Sequence, residues 1–145
     1  MSKSDYFENA ILALLFNATA IANIADNAAA SPLTSLYVSL HTADPGDSGS
    51  QTTNEAAYTG YARVAVARTS GGWTVSGTSP TSVSPVATIS FPAATGGSET
   101  ETYAAIGTAE SGAGHILYSG ALSPSIVVAD GVTPQIKTTS TITED

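Results

Sequence analysis

The clearest pattern along the chain is the alternation of apolar and polar residues from Leu36 to His41, LYVSLH. A period of two puts one row of side chains on a core and the other toward solvent, so this segment is predicted to be a β-strand. Asp44-Pro45-Gly46-Asp47 then predicts a turn, because Pro fixes φ and Gly permits positive φ. Tyr61 to Arg68 is predicted to be a second strand, with thin apolar faces suited to an edge or intersheet position.

The segment between these strands, Asp44 to Thr59, is polar and longer than a hairpin needs. Beyond Asp47 its apolar residues are only Ala56, Ala57 and Tyr58, so the loop is predicted to be unable to bury itself. Such a loop is expected to be mobile when free and to lie at a contact with a partner, because its length serves no folding purpose. Shortening Ser48 to Thr53 is accordingly expected to leave the fold intact.

The N-terminal segment has a helical pattern instead. Ser2 or Ser4 can cap a helix there, and acidic residues follow near its positive end. Apolar spacings of three and four predict that residues 1–16 form an ordered helix that buries Phe7, Ile11, Leu14 and Leu15. Leu12 and Phe16 widen this stripe, so the helix is predicted to pack on the sheet or on a neighbouring subunit. Residues 18–30 are predicted to form a second short helix or an ordered loop.

Short strand-like runs separated by turn signals continue to the C-terminus, and Trp73 is predicted to be a core residue. The predicted strands are 73–75, 86–91, 103–109, 115–119, 126–129 and 135–143, with turn-rich or loop connections at 77–85, 93–101 and 120–124. This spacing predicts a mainly β fold, an antiparallel β-sandwich of jelly-roll type with an N-terminal α-helix. The length of 145 residues predicts a single domain, 1–145, with a helical segment at 1–30 and the sandwich at 31–145.

Composition excludes several classes of function. Four Lys or Arg stand against twelve Asp or Glu, and a net charge of −8 argues against nucleic-acid binding. The chain has no cysteine, which excludes disulfides, thiolate metal sites and a thiol nucleophile. The apolar run from Ile11 to Phe16 is too short for a membrane span, and its flanking charges argue against a signal peptide. A Ser-, Thr-, Gly- and Ala-rich composition is typical of extracellular or virion β-proteins.

Two stretches resemble a known family. LYVSLHTADPGDSG with NEAAYTGYARVAV, and AAIGTAESGAGHILYSGALSPSIVVADGVTPQI, are similar to small tailed-bacteriophage virion proteins that are commonly labelled tail fibre or head decoration proteins. The helix reading AILALLFNATA sits where that family begins with a helix. The chain departs from the family in a longer connection at 21–32 and in the turn AAIGTAESGAG. The resemblance implies a virion structural protein, made in the bacterial host cytoplasm, more firmly than it implies a position in the particle.

Candidate chemistry is sparse. His41 and His115 lie in separate predicted strands without a catalytic triad, and His41 is expected to be a half-exposed strand residue. Asp44, Asp47 and Glu55 flank the polar loop, but they lack the regular oxygen spacing of a calcium loop, so no metal is predicted. Glu99 and Glu101 would share one face, in a polar loop without an apolar setting to raise either pKa. We therefore predict no catalytic residue, no metal and no cofactor.

Arg63 and Arg68 are two of only four cations, so each is expected to pair with a carboxylate, within the subunit or across an interface. Tyr58 and Tyr61 beside them are side chains of the type found in interfaces. The predicted interface residues are Phe7, Ile11, Leu14, Leu15, Asp44, Asp47, Glu55, Tyr58, Tyr61, Arg63 and Arg68.

The sequence favours a non-enzymatic capsid decoration protein that stabilises the assembled head. Its expected partners are other copies of itself, with a trimer as the expected oligomer, and the major capsid protein or other virion proteins, with no nucleic acid and no membrane. A tail fibre or fibre-adaptor protein is the first alternative, and a sugar-binding or sugar-cleaving module is a further one.

Overall fold

The computed structural model describes residues 5–21, 32–77 and 81–144, and the side chains of residues 5–7 and 144 lie outside this description. Its elements are α1 Asp5–Asn17, β1 Ser35–His41, β2 Val64–Ala67, β3 Trp73–Ser76, β4 Thr81–Pro85, β5 Ile89–Ser90, β6 Glu99–Gly107, β7 Ile116–Val128, β8 Gln135–Ile136 and β9 Ile142–Glu144. The predicted fold class, mainly β with an N-terminal helix, is confirmed. The second helix or ordered loop predicted at 18–30 falls mostly outside the described residues.

The strands form three antiparallel sheets. Their orders are β2-β1-β6-β7, β3-β4-β9 and β5-β8. In the largest sheet β1 pairs with β6 so that His41 lies opposite Tyr103. Strand β6 in turn pairs with β7, with Glu99 opposite Val128. Because β1 and β6 are antiparallel, the segment that follows β1 begins beside the N-terminal half of β6, and this segment carries the site described below.

Two compact units share the chain. The first comprises Met1–Ser35, Val66–Thr88 and Lys137–Asp145, and the second comprises Leu36–Ala65 and Ile89–Ile136. The single-domain interpretation stays a prediction. In the first unit α1 packs against β3 and β4.

The buried face of α1 differs from the predicted one. Leu12 and Phe16 are fully buried, and the Phe16 ring meets Trp73 edge-on at 4.9 Å. Trp73 is therefore a core residue, as predicted. The residues expected to be buried, Ile11, Leu14 and Leu15, are only half-buried, and the side chain of Phe7 lies outside the described residues. Burial of these residues against the sheet is not observed, because the stripe is broad and apolar spacing alone does not say which part of it meets the sheet. Their burial against a neighbouring subunit stays a prediction.

Arg68 closes the C-terminal end of α1. Its guanidinium donates to the carbonyl oxygens of Leu14 at 2.7 Å, Leu15 at 2.6 Å and Leu33 at 3.0 Å. The last carbonyls of a helix have no partner within the helix, and a cation is favourable at this negative end. The last turn of α1 itself carries no basic residue, so a residue from β2's end supplies the charge. Within the described residues Arg68 thus contacts backbone carbonyls, and a carboxylate partner across an interface stays a prediction.

Several strand boundaries also differ from prediction. Residues 81–85, predicted as part of a connection, form β4, and the strand predicted at 86–91 is reduced to β5. At the predicted break, 120–124, β7 continues as one strand of 13 residues, but its pairing with β6 is irregular there, since Ala121 lies opposite Tyr103 and Ile126 opposite Glu101. The strand predicted at 135–143 is two short strands with a turn between them. Pro124 is tolerated within β7 because β7 is an edge strand, and Pro85 is the last residue of β4.

Candidate functional site

The loop from Asp44 to Thr59, here called the 44–59 loop, is held in place by side chains that point inward. Gln51 is fully buried, and Pro45, Ala56 and Tyr58 are buried too. The Ala56 N–H donates to the Leu40 carbonyl at 2.9 Å, which keeps the loop on the end of β1. The expectation that this loop cannot bury itself is therefore wrong.

Gln51 is the centre of this anchoring. Its backbone N–H donates to the Gly114 carbonyl at 2.9 Å, and its side-chain oxygen accepts from the Ala109 N–H at 2.9 Å. Its side-chain nitrogen donates to the Tyr37 carbonyl at 3.4 Å. A Cβ added at Gly107 or Gly114 would overlap the Gln51 amide, so both positions need glycine for the amide to enter. The loop is thereby attached to β1 and to the β6–β7 connection.

Glu55 and Arg63 form a second anchor. Arg63 Nε and Nη2 donate to the two carboxylate oxygens of Glu55 at 2.6 and 2.8 Å, a bidentate pair. The remaining donors of Arg63 meet the carbonyls of Ala109 at 2.9 Å and Gly112 at 2.8 Å. The hydrogen bonds to Glu55 raise the pKa of Arg63 further. Of the two pairings expected for Arg63, the one within the subunit is the one observed.

Tyr61 joins this ion pair to β1. Its hydroxyl donates to Glu55 Oε1 at 3.0 Å and accepts from the Leu40 N–H at 3.1 Å. Burial is the main cause that raises the pKa of Tyr61, and the nearby Glu55 carboxylate adds to it. The Tyr61 ring also meets Tyr58 edge-on at 5.3 Å and stacks on Phe91 at 6.3 Å. Both tyrosines therefore serve the interior of the second unit.

His41 is buried rather than half-exposed. Its Nε2 lies 2.9 Å from the Ser39 hydroxyl and its Nδ1 lies 2.8 Å from the Thr53 carbonyl oxygen. Burial lowers the pKa of His41, and the bond to Thr53 partly offsets this. A Ser–His contact resembles part of a hydrolase site, but here Ser39 and His41 are both fully buried. The contact therefore ties β1 to the loop and offers no access to a substrate.

Glu99 and Glu101 lie in β6, not in a loop as predicted. Glu99 Oε1 accepts the N–H groups of Ala57 at 2.8 Å and Tyr58 at 2.7 Å, at the end of the 44–59 loop. Glu101 is fully buried, and burial, with the adjacent Glu99, raises its pKa to about 8. The expectation that neither carboxyl has a setting that raises its pKa is wrong for Glu101. The sequence does not reveal this burial, because a Glu next to a Gly-rich stretch is typical of a solvated turn.

The outward side of the 44–59 loop is polar and exposed. Asp44, Asp47, Ser48, Thr52 and Asn54 are all exposed. Asp44 Oδ1 accepts the Gly46 N–H at 2.9 Å, which shapes the turn locally. An ordered loop with an exposed polar side is the feature that remains once the inward residues are accounted for.

The predicted interface residues are divided between the two units. Glu55, Tyr58, Tyr61 and Arg63 are engaged inside the second unit, whereas the half-buried helix residues and Arg68 belong to the first. The calcium reading of the loop acids finds no support, because the Glu55 carboxylate is held by Arg63. Among the described residues no group of three or more His, Cys, Asp or Glu is arranged to hold a metal ion. In the same part of the chain no helix has the length and apolarity to cross a bilayer.

Residues 2–143 match the protein family described as Podophage GP4 fiber I protein gp80. The chain belongs to this family. The match covers nearly the whole sequence, and it confirms the resemblance to phage virion structural proteins. The protein is thus a structural protein of a bacteriophage, located in the virion. No curated protein shows significant similarity to the chain.

Proposed function

We propose that this member of the fibre I family is a non-enzymatic component of a phage fibre, which joins its neighbours in the virion through the exposed side of the 44–59 loop. The family description, which names a fibre, supports the fibre alternative over the capsid decoration role that the sequence alone favoured. The observation that carries the proposal is that a long polar loop is anchored from inside by Gln51 and the Glu55–Arg63 pair, while its outer side chains are exposed.

Anchoring matters for assembly because a flexible loop must be ordered when it binds. Fixing the backbone costs roughly 1 to 2 kcal/mol per residue, and a loop ordered during folding no longer carries this cost at the moment of association. The 44–59 loop therefore offers a preformed surface. Many such contacts in one particle reinforce one another through avidity.

Charge indicates which neighbour the loop meets. Its outer side carries Asp44 and Asp47, which favour a surface with positive charge or hydrogen-bond donors. A second copy has few cations to offer, because Arg63 and Arg68 are used in internal contacts and leave Lys3 and Lys137. The loop thus fits a virion protein of different sequence better than a second copy. Association between copies, with a trimer as the expected oligomer, remains a prediction that involves other surfaces.

Copy number and position in the particle test the proposal. We expect quantified bands of purified virions to give few copies per particle, and labelled antibodies to decorate a fibre. Hundreds of copies spread over the head would contradict the fibre role and restore the decoration role.

A further inference from the structure

Glu101 is a buried carboxyl group that the proposed assembly role does not use. It is fully buried in β6, and among the described residues neither of its oxygens has a hydrogen-bond donor. An ionised carboxylate in such a place lacks both water and a counter-charge, which is strongly unfavourable. Its surroundings therefore favour the neutral, protonated form.

Glu99 supplies the acceptor for that proton. Residues i and i+2 of a strand share a face, so the two carboxyl groups lie side by side. Glu99 Oε1 accepts two backbone N–H groups, from Ala57 and Tyr58. Two adjacent carboxyl groups hold one proton between them more easily than they hold two negative charges.

Among the residues that the structure describes, the groups around the pair add no cation. Strand β7 places Val128 opposite Glu99 and Ile126 opposite Glu101, both apolar. Tyr58, at the end of the 44–59 loop, has a hydroxyl that donates to the Pro92 carbonyl at 3.0 Å. Burial, with the two carboxyl groups adding to it, raises the pKa of Tyr58 to about 12, so the Tyr58 hydroxyl is neutral. His41 of β1 is turned to Ser39 and Thr53 instead.

We propose that Glu99 and Glu101 share one proton in the folded protein and act as a pH-sensitive anchor for the end of the 44–59 loop. Loss of the proton puts two negative charges side by side under residues 56–58. The resulting repulsion weakens the hydrogen bonds that the Ala57 and Tyr58 N–H groups donate to Glu99 of β6. The anchor thus holds in neutral and acidic solution and loosens in alkaline solution.

The sign of the effect follows from the pKa of Glu101, which rises from 4.5 in the unfolded chain to about 8 in the folded one. The stability that the neutral carboxyl contributes is fully present below pH 4.5. It falls as the pH rises and is lost above pH 8 or so. Over this interval the unfolding constant of the wild type should rise about tenfold per pH unit relative to a variant that lacks this titration.

The test compares the wild type with Glu101→Gln, which is neutral and of the same shape, and with Glu110→Gln, an exposed control. Unfolding constants are measured in urea from pH 5 to pH 9. We expect the free energy of unfolding of Glu101→Gln to rise steadily relative to that of the wild type as the pH rises. The difference between Glu110→Gln and the wild type should not change with pH. Amide exchange of Ala57 and Tyr58, corrected for the intrinsic pH dependence, should lose protection at high pH in the wild type only.

A second variant guards against an effect of Glu101→Gln on folding. Glu99→Gln keeps an oxygen for the two N–H groups but removes the neighbouring charge, so the titration of Glu101 should move to lower pH. Parallel pH profiles for the wild type and Glu101→Gln would overturn the proposal. Stabilisation of the wild type by added Ca²⁺ at pH 8, absent in Glu101→Gln, would overturn it too, since the pair would then bind a cation in place of the proton.

Discussion

At the scale of single residues, the second unit depends on polar side chains that sit inside. Gln51, Glu55, Arg63 and His41 each make hydrogen bonds to backbone or to one another, and together they connect the 44–59 loop to β1 and to the β6–β7 connection. Buried polar groups of this kind are stabilising only when they are satisfied, because an unpaired one costs about 1 to 3 kcal/mol. Their partners, more than their own chemistry, explain the shape of the loop.

Gln51 gives a direct test of this interpretation. Gln51→Ala should lower the free energy of unfolding by roughly 1 to 3 kcal/mol, because it leaves the Ala109 N–H without its acceptor. Gly107→Ala should be destabilising in the wild type and much less so in Gln51→Ala, since the added Cβ then has room. Chemical denaturation of the two single variants and the double variant measures this coupling.

Ser48→Ala, an exposed position in the same loop, serves as the control and should change little. Additive effects of the Gln51 and Gly107 substitutions would show that the amide does not occupy the space next to Gly107. The same geometry explains why shortening Ser48 to Thr53 should damage the fold, contrary to the expectation from sequence. That deletion removes Gln51 together with the Thr53 carbonyl that His41 contacts.

These residue contacts mark the limit of what sequence could predict. The alternation at Leu36 to His41 identified β1, since burial of one face leaves a periodic signal. Gln51 leaves no such periodic signal, because a glutamine in a Gly- and Thr-rich stretch is typical of a solvated loop. Its burial depends on two glycines 56 and 63 positions further along the chain, Gly107 and Gly114. Contacts between residues so distant in sequence are not visible in any local pattern.

At the scale of elements, α1 likewise has features that the sequence predicts and features that it does not. Its existence was predictable from apolar spacing, and the structure ends it at Asn17, one residue beyond the predicted end, where Ala18 takes a left-handed conformation with φ of 53°. The predicted caps, Ser2 and Ser4, lie outside the described residues. The buried face of α1 was not predictable, because a helix with a broad apolar stripe can pack on a sheet in several equivalent orientations. Arg68 at its C-terminal end comes from another part of the chain, which the helix sequence does not reveal.

The orientation of α1 predicts a difference between two leucines. Leu12→Ala should cost on the order of 2 to 5 kcal/mol, since Leu12 is fully buried in the first unit. Leu14→Ala should cost clearly less, since Leu14 is half-buried, and it is a matched control of the same chemistry on the same helix. Urea unfolding of both variants gives the comparison. Equal losses would indicate that the exposed side of α1 is also covered in the protein in solution.

At the scale of the whole molecule, the account joins an anchored loop to a role in the virion. The antiparallel sheets and the helix were predicted from sequence, and the family match places the protein in the phage particle. Which side chains of the 44–59 loop point inward and which point outward could be seen only in the structure. The half-buried Ile11, Leu14 and Leu15 remain predicted interface residues, as do Asp44 and Asp47 on the outer side of the loop.

The central claim is that the outer side of the 44–59 loop is covered by a neighbouring protein in the particle. Because the chain has no cysteine, Ser48→Cys and the control Thr138→Cys each introduce a single thiol at an exposed position. The isolated protein and intact virions are labelled with maleimide, and the label is quantified in the gel band of this protein. The labelled fraction measures whether the introduced thiol is accessible or covered. We expect Ser48→Cys to be labelled in isolation and protected in the virion, while Thr138→Cys is labelled equally in both. Equal labelling of Ser48→Cys in the two states would contradict the claim.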